Sequence, residues 1–433
     1  MQVNFAERAD NHNWKLDPIV RSLLDTDFYK LLMLQYIWKN FPEVHVTSEI
    51  VNRTVSVRLS EQVPLNALID QMEHVRSLRF RRSELVWLAG NTFYGTRSIF
   101  QPAFLDWLEH EFRLSEYEVV EHQGELTIRF SGLWCQVTMW EIYALAIVNE
   151  LRTRSALTQL SELELDVLYA RAKTKLWDKI AKLRGVPGLR VSDFGTRRRH
   201  SFLWQEYVIK AMQVSLGANF TGTSNTFMAF KHDLEAIGTN AHELPMALAA
   251  MANTEEELRQ AQYRVLELWQ QSYGGSLLIL LPDTFGTTQF LTSAPEWVAD
   301  WTGQRIDSKD PFIAGDEYIA WLVRRGRDPK TKLLIASDAL DVEEILQLHA
   351  YFKDRIRFSA GWGTLLTNDF RDCHPRGEKS FDPISLVCKL TSVNGRPTVK
   401  LSDNPRKSTG PAAEIERYRR VFGSETAERA VIV

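Results

Sequence analysis

TKLLIASD (331–338), DVEEILQLHAYFKDR (341–355) and RIRFSAGWG (355–363) follow one another along the chain. The outer two are short apolar runs that end in polar or glycine residues. The middle one carries helical periodicity. A strand, a crossover helix and a second strand make the unit that builds a parallel sheet. The same pattern extends toward the N-terminus. Apolar runs recur at LRVSDFG (189–195), NFTGTSN (219–225), EAIGTNAHE (235–243), SLLILLPD (276–283) and GQRIDS (303–308), with helical stretches between them. ANTEEELRQAQYRVLELWQQSYGG (252–275) is the clearest helix: Thr254 and Glu257 form a capping box, and Gly274 or Gly275 stops it. Seven such runs predict an α/β fold, an irregular (β/α) barrel over residues 156–380.

The rest of the chain reads as an additional α/β domain built from the N- and C-terminal segments. LDTDFYKLLMLQYIWKNFP (24–42) predicts a helix, with Asp25 or Thr26 as cap and Pro42 as stop. VHVTSEIVNR (44–53) alternates as a strand, and PLNALIDQMEHVRSLRF (64–80) opens a helix with its proline. YEVVEHQGELTIRFSG (117–132) predicts a hairpin turning at Gln123-Gly124. QVTMWEIYALAIVNELRTR (136–154) predicts one long helix, packed in protein because it carries Glu141 and Glu150. SLVCKLTSVNGRPTVKLSD (385–403) predicts a second hairpin about Asn394-Gly395. The expected organisation is a polar tail at 1–18, an α/β domain at 19–155, the barrel at 156–380, and a C-terminal hairpin and tail at 381–433 packed back on the front domain.

The 433 residues are 44% hydrophobic and 25% charged, enough apolar chain for more than one small core. A net charge of −3, from 52 basic and 55 acidic residues, argues against a nucleic-acid partner and a membrane surface. Cys135, Cys373 and Cys388 form no C-x-x-C pair, so neither a zinc motif nor a disulfide framework is expected. The first residues hold no apolar run of the secretory kind, and the longest apolar stretches fall well short of the ~20 residues that span a bilayer. A cytoplasmic protein is expected.

In a barrel, ligand groups sit at the C-terminal ends of the strands. Asp193, Thr223, His242, Asp283, Asp307, Asp338 and the Gly361-Trp362-Gly363 turn all fall there. DFGTRRR (193–199) places three arginines where the chain leaves a strand. Arginine forks match carboxylate or phosphate oxygens, and Phe194 offers a face to a flat ring. The same residues would also suit a solvated basic turn or an RNA contact. Gly361, Gly363 and Thr364 can offer backbone N–H groups to an anion or form a plain turn. Thr223 can add a phosphate contact or cap a helix. Asp283, Asp307 and Asp338 can hold Mg²⁺, ribose hydroxyls or a base, or act as caps. His242 is a candidate base, metal ligand or nucleophile toward phosphorus.

LLDTDFYKLLM (23–33), DFGTRRR (193–199), GTSN (222–225), GTNAHE (238–243), RIDSKDP (305–311), ASDALD (336–341), GWGT (361–364) and KLSDNPRK (400–407) stand in one order. This ordered set resembles the nicotinate phosphoribosyltransferase family over nearly the whole chain. The resemblance implies a type II phosphoribosyltransferase fold, an irregular α/β barrel with an added domain from both chain ends. It implies that nicotinate and phosphoribosyl pyrophosphate give nicotinate mononucleotide and pyrophosphate, with ATP hydrolysed and Mg²⁺ as cofactor, in NAD biosynthesis.

His242 matches the histidine the family phosphorylates transiently. Arg305 and Asp307 match positions that hold the donor's pyrophosphate and ribose. Phe194 and Tyr29 would sandwich the pyridine, Tyr29 coming from a neighbouring subunit of a homodimer. Arg197 would face the ring's carboxylate. Gly361, Gly363 and Thr364 would cradle the 5′-phosphate, with Asp283 near the pyridine and Asp338 near the ribose. Lys309 stands where the family has glycine, and Trp362 where a smaller apolar residue is common. A nicotinamide-specific relative and a non-catalytic nucleotide-binding homologue are the alternative readings.

Overall fold

Residues 16–93, 97–122 and 125–423 are described by the computed structural model. Most of the expected polar tail, the Gln123-Gly124 turn and residues 424–433 lie outside them. Thirteen strands are present among the described residues: β1 (His45–Asn52), β2 (Thr92–Phe93), β3 (Arg97–Ser98), β4 (Tyr117–His122), β5 (Glu125–Leu133), β6 (Val191–Asp193), β7 (Phe220–Thr223), β8 (Ile279–Leu280), β9 (Gly303–Ile306), β10 (Leu333–Ala336), β11 (Arg357–Trp362), β12 (Leu386–Val393) and β13 (Arg396–Pro397).

The front domain is built on an antiparallel sheet of order β13-β12-β1-β5-β4. β1 alternates valine, serine and isoleucine inward, with Val46 and Ile50 buried. Its two edges take β5 on one side and β12 on the other. The C-terminal hairpin is thus a member of the N-terminal sheet. Its turn places Asn394 at φ 48° and Gly395 at φ 75°, the left-handed pair that a two-residue hairpin demands.

The second sheet is parallel throughout, in the order β7-β6-β11-β10-β9-β8. Helices Val342–Phe352 and Pro311–Arg324 cross over between its strands as the periodicity predicts, each capped by an aspartate, Asp341 and Asp310. The edges β7 and β8 are not hydrogen-bonded to each other. Segment 235–241 spans between them: Ala236 bridges Thr223, and the Asn240 side chain donates to the Ile279 carbonyl at 3.1 Å. The expected strand at 235–243 is therefore a single bridge. Beyond it the chain passes the start of helix Phe28–Asn40, where a Cβ on Gly238 would lie 2.8 Å from the Tyr29 nitrogen. The expected strand at 276–283 shrinks to two residues between 3₁₀ turns, because Pro282 cannot donate to a ladder.

Other boundaries differ for identifiable reasons. The predicted helix at 136–154 is two helices, Trp134–Val137 and Trp140–Leu157. The helix expected from Leu24 starts at Phe28, since Asp25 is taken by an ion pair with Arg199 and cannot cap it. Thr254 caps Glu255–Gln270 as read, but the Glu257 carboxylate accepts from Asn253 and not from Thr254, and the helix ends before Gly274. Five tryptophans, Trp134, Trp140, Trp269, Trp301 and Trp362, lie fully buried across both halves of the core. No described helix is long and apolar enough to cross a membrane.

Candidate active site

A cavity of about 490 Å³ opens where the C-terminal ends of the parallel strands meet β1 and β12. Tyr29, Phe194, Arg197, His242, Arg305, Asp307, Asp338, Gly363 and Thr364 line it, all of them expected from sequence. Thr223, Asp283 and Gly361 do not line it. Thr223 is fully buried and its hydroxyl donates to Asp193 Oδ2 at 2.7 Å, so the next residue, Ser224, reaches the cavity instead. Gly361 lies under the Phe194 ring: a Cβ there would sit 2.3 Å from Cε2. This close approach seats the ring. Asp283 stands behind His242, its Oδ1 3.6 Å from Nε2, while its Oδ2 accepts from Ser308 Oγ at 2.6 Å.

The DFGTRRR segment divides its labour through local geometry. Asp193 turns inward, accepting from Gly195 N, Gln205 and Thr223, and its burial raises its pKa. A 3₁₀ turn at Thr196–Arg198 then sends successive arginines in different directions. Arg197 faces the cavity, its backbone carbonyl held by Asn149 and its Nη1 3.3 Å from Glu141. Arg198 also lines the cavity, with Nε donating to the Leu386 carbonyl. Burial, then the charges of Arg197 and Arg53, push its pKa down to about 10. Arg199 is wholly buried and clamps Asp25 through two bonds of 2.7 and 2.8 Å. It ties the turn to the front domain.

His242 immediately precedes helix Glu243–Met251. Its Nδ1 meets Thr284 Oγ1 and its Nε2 meets Asp307 Oδ2, both at 2.9 Å. Burial lowers the His242 pKa, against the pull of Asp283 and Asp307, so the ring is held neutral near pH 7. Burial would raise the Asp307 pKa, but the His242 hydrogen bond and the charges of Arg305 and Lys400 hold it well below the usual carboxylate range. The Arg305 Nη1 donates to the Asn240 carbonyl at 3.2 Å, while its buried Nε has no hydrogen-bond partner among the described residues.

Tyr29 and Phe194 line one cavity within a single chain. Lys309 does not line the cavity: it pairs with Glu317 and donates to Thr288 at 3.1 Å. Trp362 is core, its indole N–H donating to the Leu340 carbonyl. Sequence reading missed Arg53, Lys389, Lys400 and Lys407, which bring cations to the cavity from β1, β12 and the loops beyond. Lys400 and Lys407 were within reach, since KLSDNPRK was recognised as a motif without a role for its lysines.

His242, Asp283 and Asp307 bring one ligand atom each within 4.8 Å of one another. Asp283 Oδ1 is buried with no hydrogen-bond partner among the described residues. Two carboxylates, one with an unsatisfied oxygen, fit a hard cation such as Mg²⁺. The cavity therefore combines two aromatic rings, an arginine beside them, a cationic wall suited to phosphates, and a histidine paired with an ionised aspartate. Such a site suits a flat anionic ring and a polyphosphate together.

Comparison with known proteins points the same way. Residues 189–426 match the sequence model of the nicotinate phosphoribosyltransferase family, and residues 24–149 match that of its N-terminal domain. The structure is similar to a nicotinate phosphoribosyltransferase from Vibrio cholerae, at 32% identity and TM-score 0.84 over 94% of each chain. It is similar to the nicotinate phosphoribosyltransferase of Porphyromonas gingivalis, at 28% identity and TM-score 0.82 over 93% of this chain and 100% of that one. A putative nicotinate phosphoribosyltransferase of Saccharomyces cerevisiae matches at 28% identity and TM-score 0.81, over 94% and 99%. The chain belongs to the nicotinate phosphoribosyltransferase family, the enzymes of NAD biosynthesis that act on nicotinate and phosphoribosyl pyrophosphate.

Proposed function

We propose that this cavity performs the transfer with ATP hydrolysis coupled through His242. The observation that carries the reading is the His242–Asp307 pair at 2.9 Å, inside the same cavity as Phe194, Tyr29 and Arg197. Nicotinate lies between the two rings with its carboxylate toward Arg197. Its pyridine nitrogen attacks the anomeric carbon of the donor, and the bond to pyrophosphate breaks. No proton moves, because the nitrogen becomes a pyridinium. Arg305, Lys400 and Lys407 receive the charge that grows on the leaving group. Asp338 lies near the ribose, and Gly363 and Thr364 near the 5′-phosphate. Mg²⁺, held by Asp283 and Asp307, would supply further neutralisation of the pyrophosphate.

The neutral His242 accepts the γ-phosphoryl group of ATP on a ring nitrogen as ADP leaves, and water later takes that group from the histidine as inorganic phosphate. Asp307, kept ionised, stabilises the positive charge that the ring gains. A homodimer and a cytoplasmic location complete the proposal. Three free cysteines support the second. The dimer follows from the family resemblance.

The deciding assay supplies nicotinate and phosphoribosyl pyrophosphate with and without ATP, and nicotinamide in parallel. The expected result is mononucleotide formation that ATP stimulates and a strong preference for the acid. Preference for the amide, or His242→Ala retaining full ATP stimulation, would overturn the respective half.

A further inference from the structure

Lys30 is a wholly enclosed cation close to the cavity-lining Glu141 and Glu243. Its side chain is 0% exposed, and its ammonium meets Glu141 Oε2 at 2.7 Å, Glu243 Oε2 at 2.6 Å and Thr138 Oγ1 at 3.3 Å. Those three contacts use all three of its donors. Each glutamate has a second engagement. Glu141 Oε1 faces Arg197 Nη1 at 3.3 Å, and Glu243 Oε1 accepts from the Trp134 indole at 2.6 Å. The result is a row of alternating charge, Arg197, Glu141, Lys30, Glu243, from the pyridine side of the cavity to the residue after His242.

A carboxylate beside Arg197 competes with any substrate carboxylate for the same guanidinium. Left alone, Glu141 would form a closed pair with Arg197 and turn the pocket toward neutral ring substituents. Lys30 lies at the shorter distance, 2.7 against 3.3 Å, and satisfies the opposite oxygen of Glu141. Arg197 meanwhile keeps 38% of its side chain exposed toward the cavity. We propose that Lys30 and Glu141 are positioning residues that set the choice of acid over amide. Lys30 draws the Glu141 charge away from Arg197 and leaves that arginine free for the pyridine carboxylate. The inference rests on the reading that Arg197 meets that carboxylate.

The charge argument gives opposite signs for two substitutions, which a merely structural role does not. Lys30→Met hands Glu141 to Arg197, and the acid-to-amide ratio of kcat/KM falls roughly tenfold or more, as expected for the loss of one hydrogen bond to a charged group. Glu141→Gln removes the competitor, and the ratio rises. The double variant Lys30→Met/Glu141→Gln recovers most of what Lys30→Met lost. KM for phosphoribosyl pyrophosphate stays within about twofold in all three, since these residues do not face the donor's phosphates.

A ratio that falls alike in both single variants, or a double variant no better than Lys30→Met, overturns the proposal. If Lys30→Met does not fold, Glu141→Gln still decides through the sign of its change. Arg197→Gln is measured alongside. If it leaves nicotinate KM unchanged, the reading of Arg197 fails. If it raises KM while Lys30→Met does not, only the role of Lys30 fails.

Discussion

Gly361→Ala tests whether the aromatic slot is seated by the glycine beneath it. The new methyl carbon would lie 2.3, 2.4 and 2.9 Å from Cε2, Cδ2 and Cζ of Phe194. Non-bonded carbons settle at about 3.5–4.0 Å, so the ring must move by more than ~1 Å. The backbone cannot retreat to absorb this. Phe194 N is bonded to the Trp362 carbonyl at 2.9 Å, and Gly195 is so close to Thr367 that a Cβ there would lie 2.1 Å from Oγ1. The ring can only swing into the cavity, where the pyridine is proposed to bind. Overpacking of this kind costs about 1–3 kcal/mol. Felt wholly at the pyridine, that is roughly a 5- to 150-fold rise in nicotinate KM. Initial rates with each substrate varied in turn measure it, with KM for phosphoribosyl pyrophosphate expected to change by less than about twofold. An unchanged nicotinate KM, or equal rises for both substrates, would refute the reasoning.

Three further outcomes follow from named contacts. Arg199→Met strands Asp25 in the core and should cost about 3–5 kcal/mol in denaturant unfolding, the usual result of breaking a buried pair; a loss under ~1 kcal/mol would show that the clamp does not hold the two domains together. Because burial lowers the His242 pKa, ATP-stimulated activity should persist on the acid side past the ordinary histidine value; an acid limb whose midpoint lies above that value, lost when His242 is replaced, would contradict a neutral ring. Lys309→Gly should leave donor KM unchanged, since Lys309 is spent on Glu317 and Thr288; a large rise in donor KM would place it in the phosphate wall after all.

The parallel sheet was legible because period and punctuation agreed in most of its strands. Runs such as 331–338 and 355–363 alternate with amphipathic helices that have aspartate caps. The failures have local causes. EAIGTNAHE reads as apolar then polar, yet its path is set by close approach to Tyr29, a contact more than 200 residues away in sequence. SLLILLPD has strand composition, but Pro282 and the preceding turn leave room for two residues of ladder. Within DFGTRRR the three arginines are chemically identical. Only the 3₁₀ turn separates one that faces the cavity from one that clamps Asp25. Thr223 and Ser224 are adjacent, and the end of β7 between them turns the first onto Asp193 and the second toward the cavity. Lys389 was hidden because a hairpin predicts its own turn, and not the sheet it joins.

That joining has a consequence for how the protein comes to exist. Thr391 Oγ1 donates to the Thr47 carbonyl across 344 residues of sequence. Arg53, just past the far end of β1, shares the cavity with Lys400 and Lys407. During synthesis the front sheet waits with an open edge on β1 while the whole barrel is made. Closing so long a loop is slow relative to local helix formation. The cationic wall of the cavity is therefore the last part to be assembled. A chain truncated between Thr364 and β12 would carry His242 and Phe194 but lack Lys389, Lys400 and Lys407, so such a prematurely terminated product should be inactive.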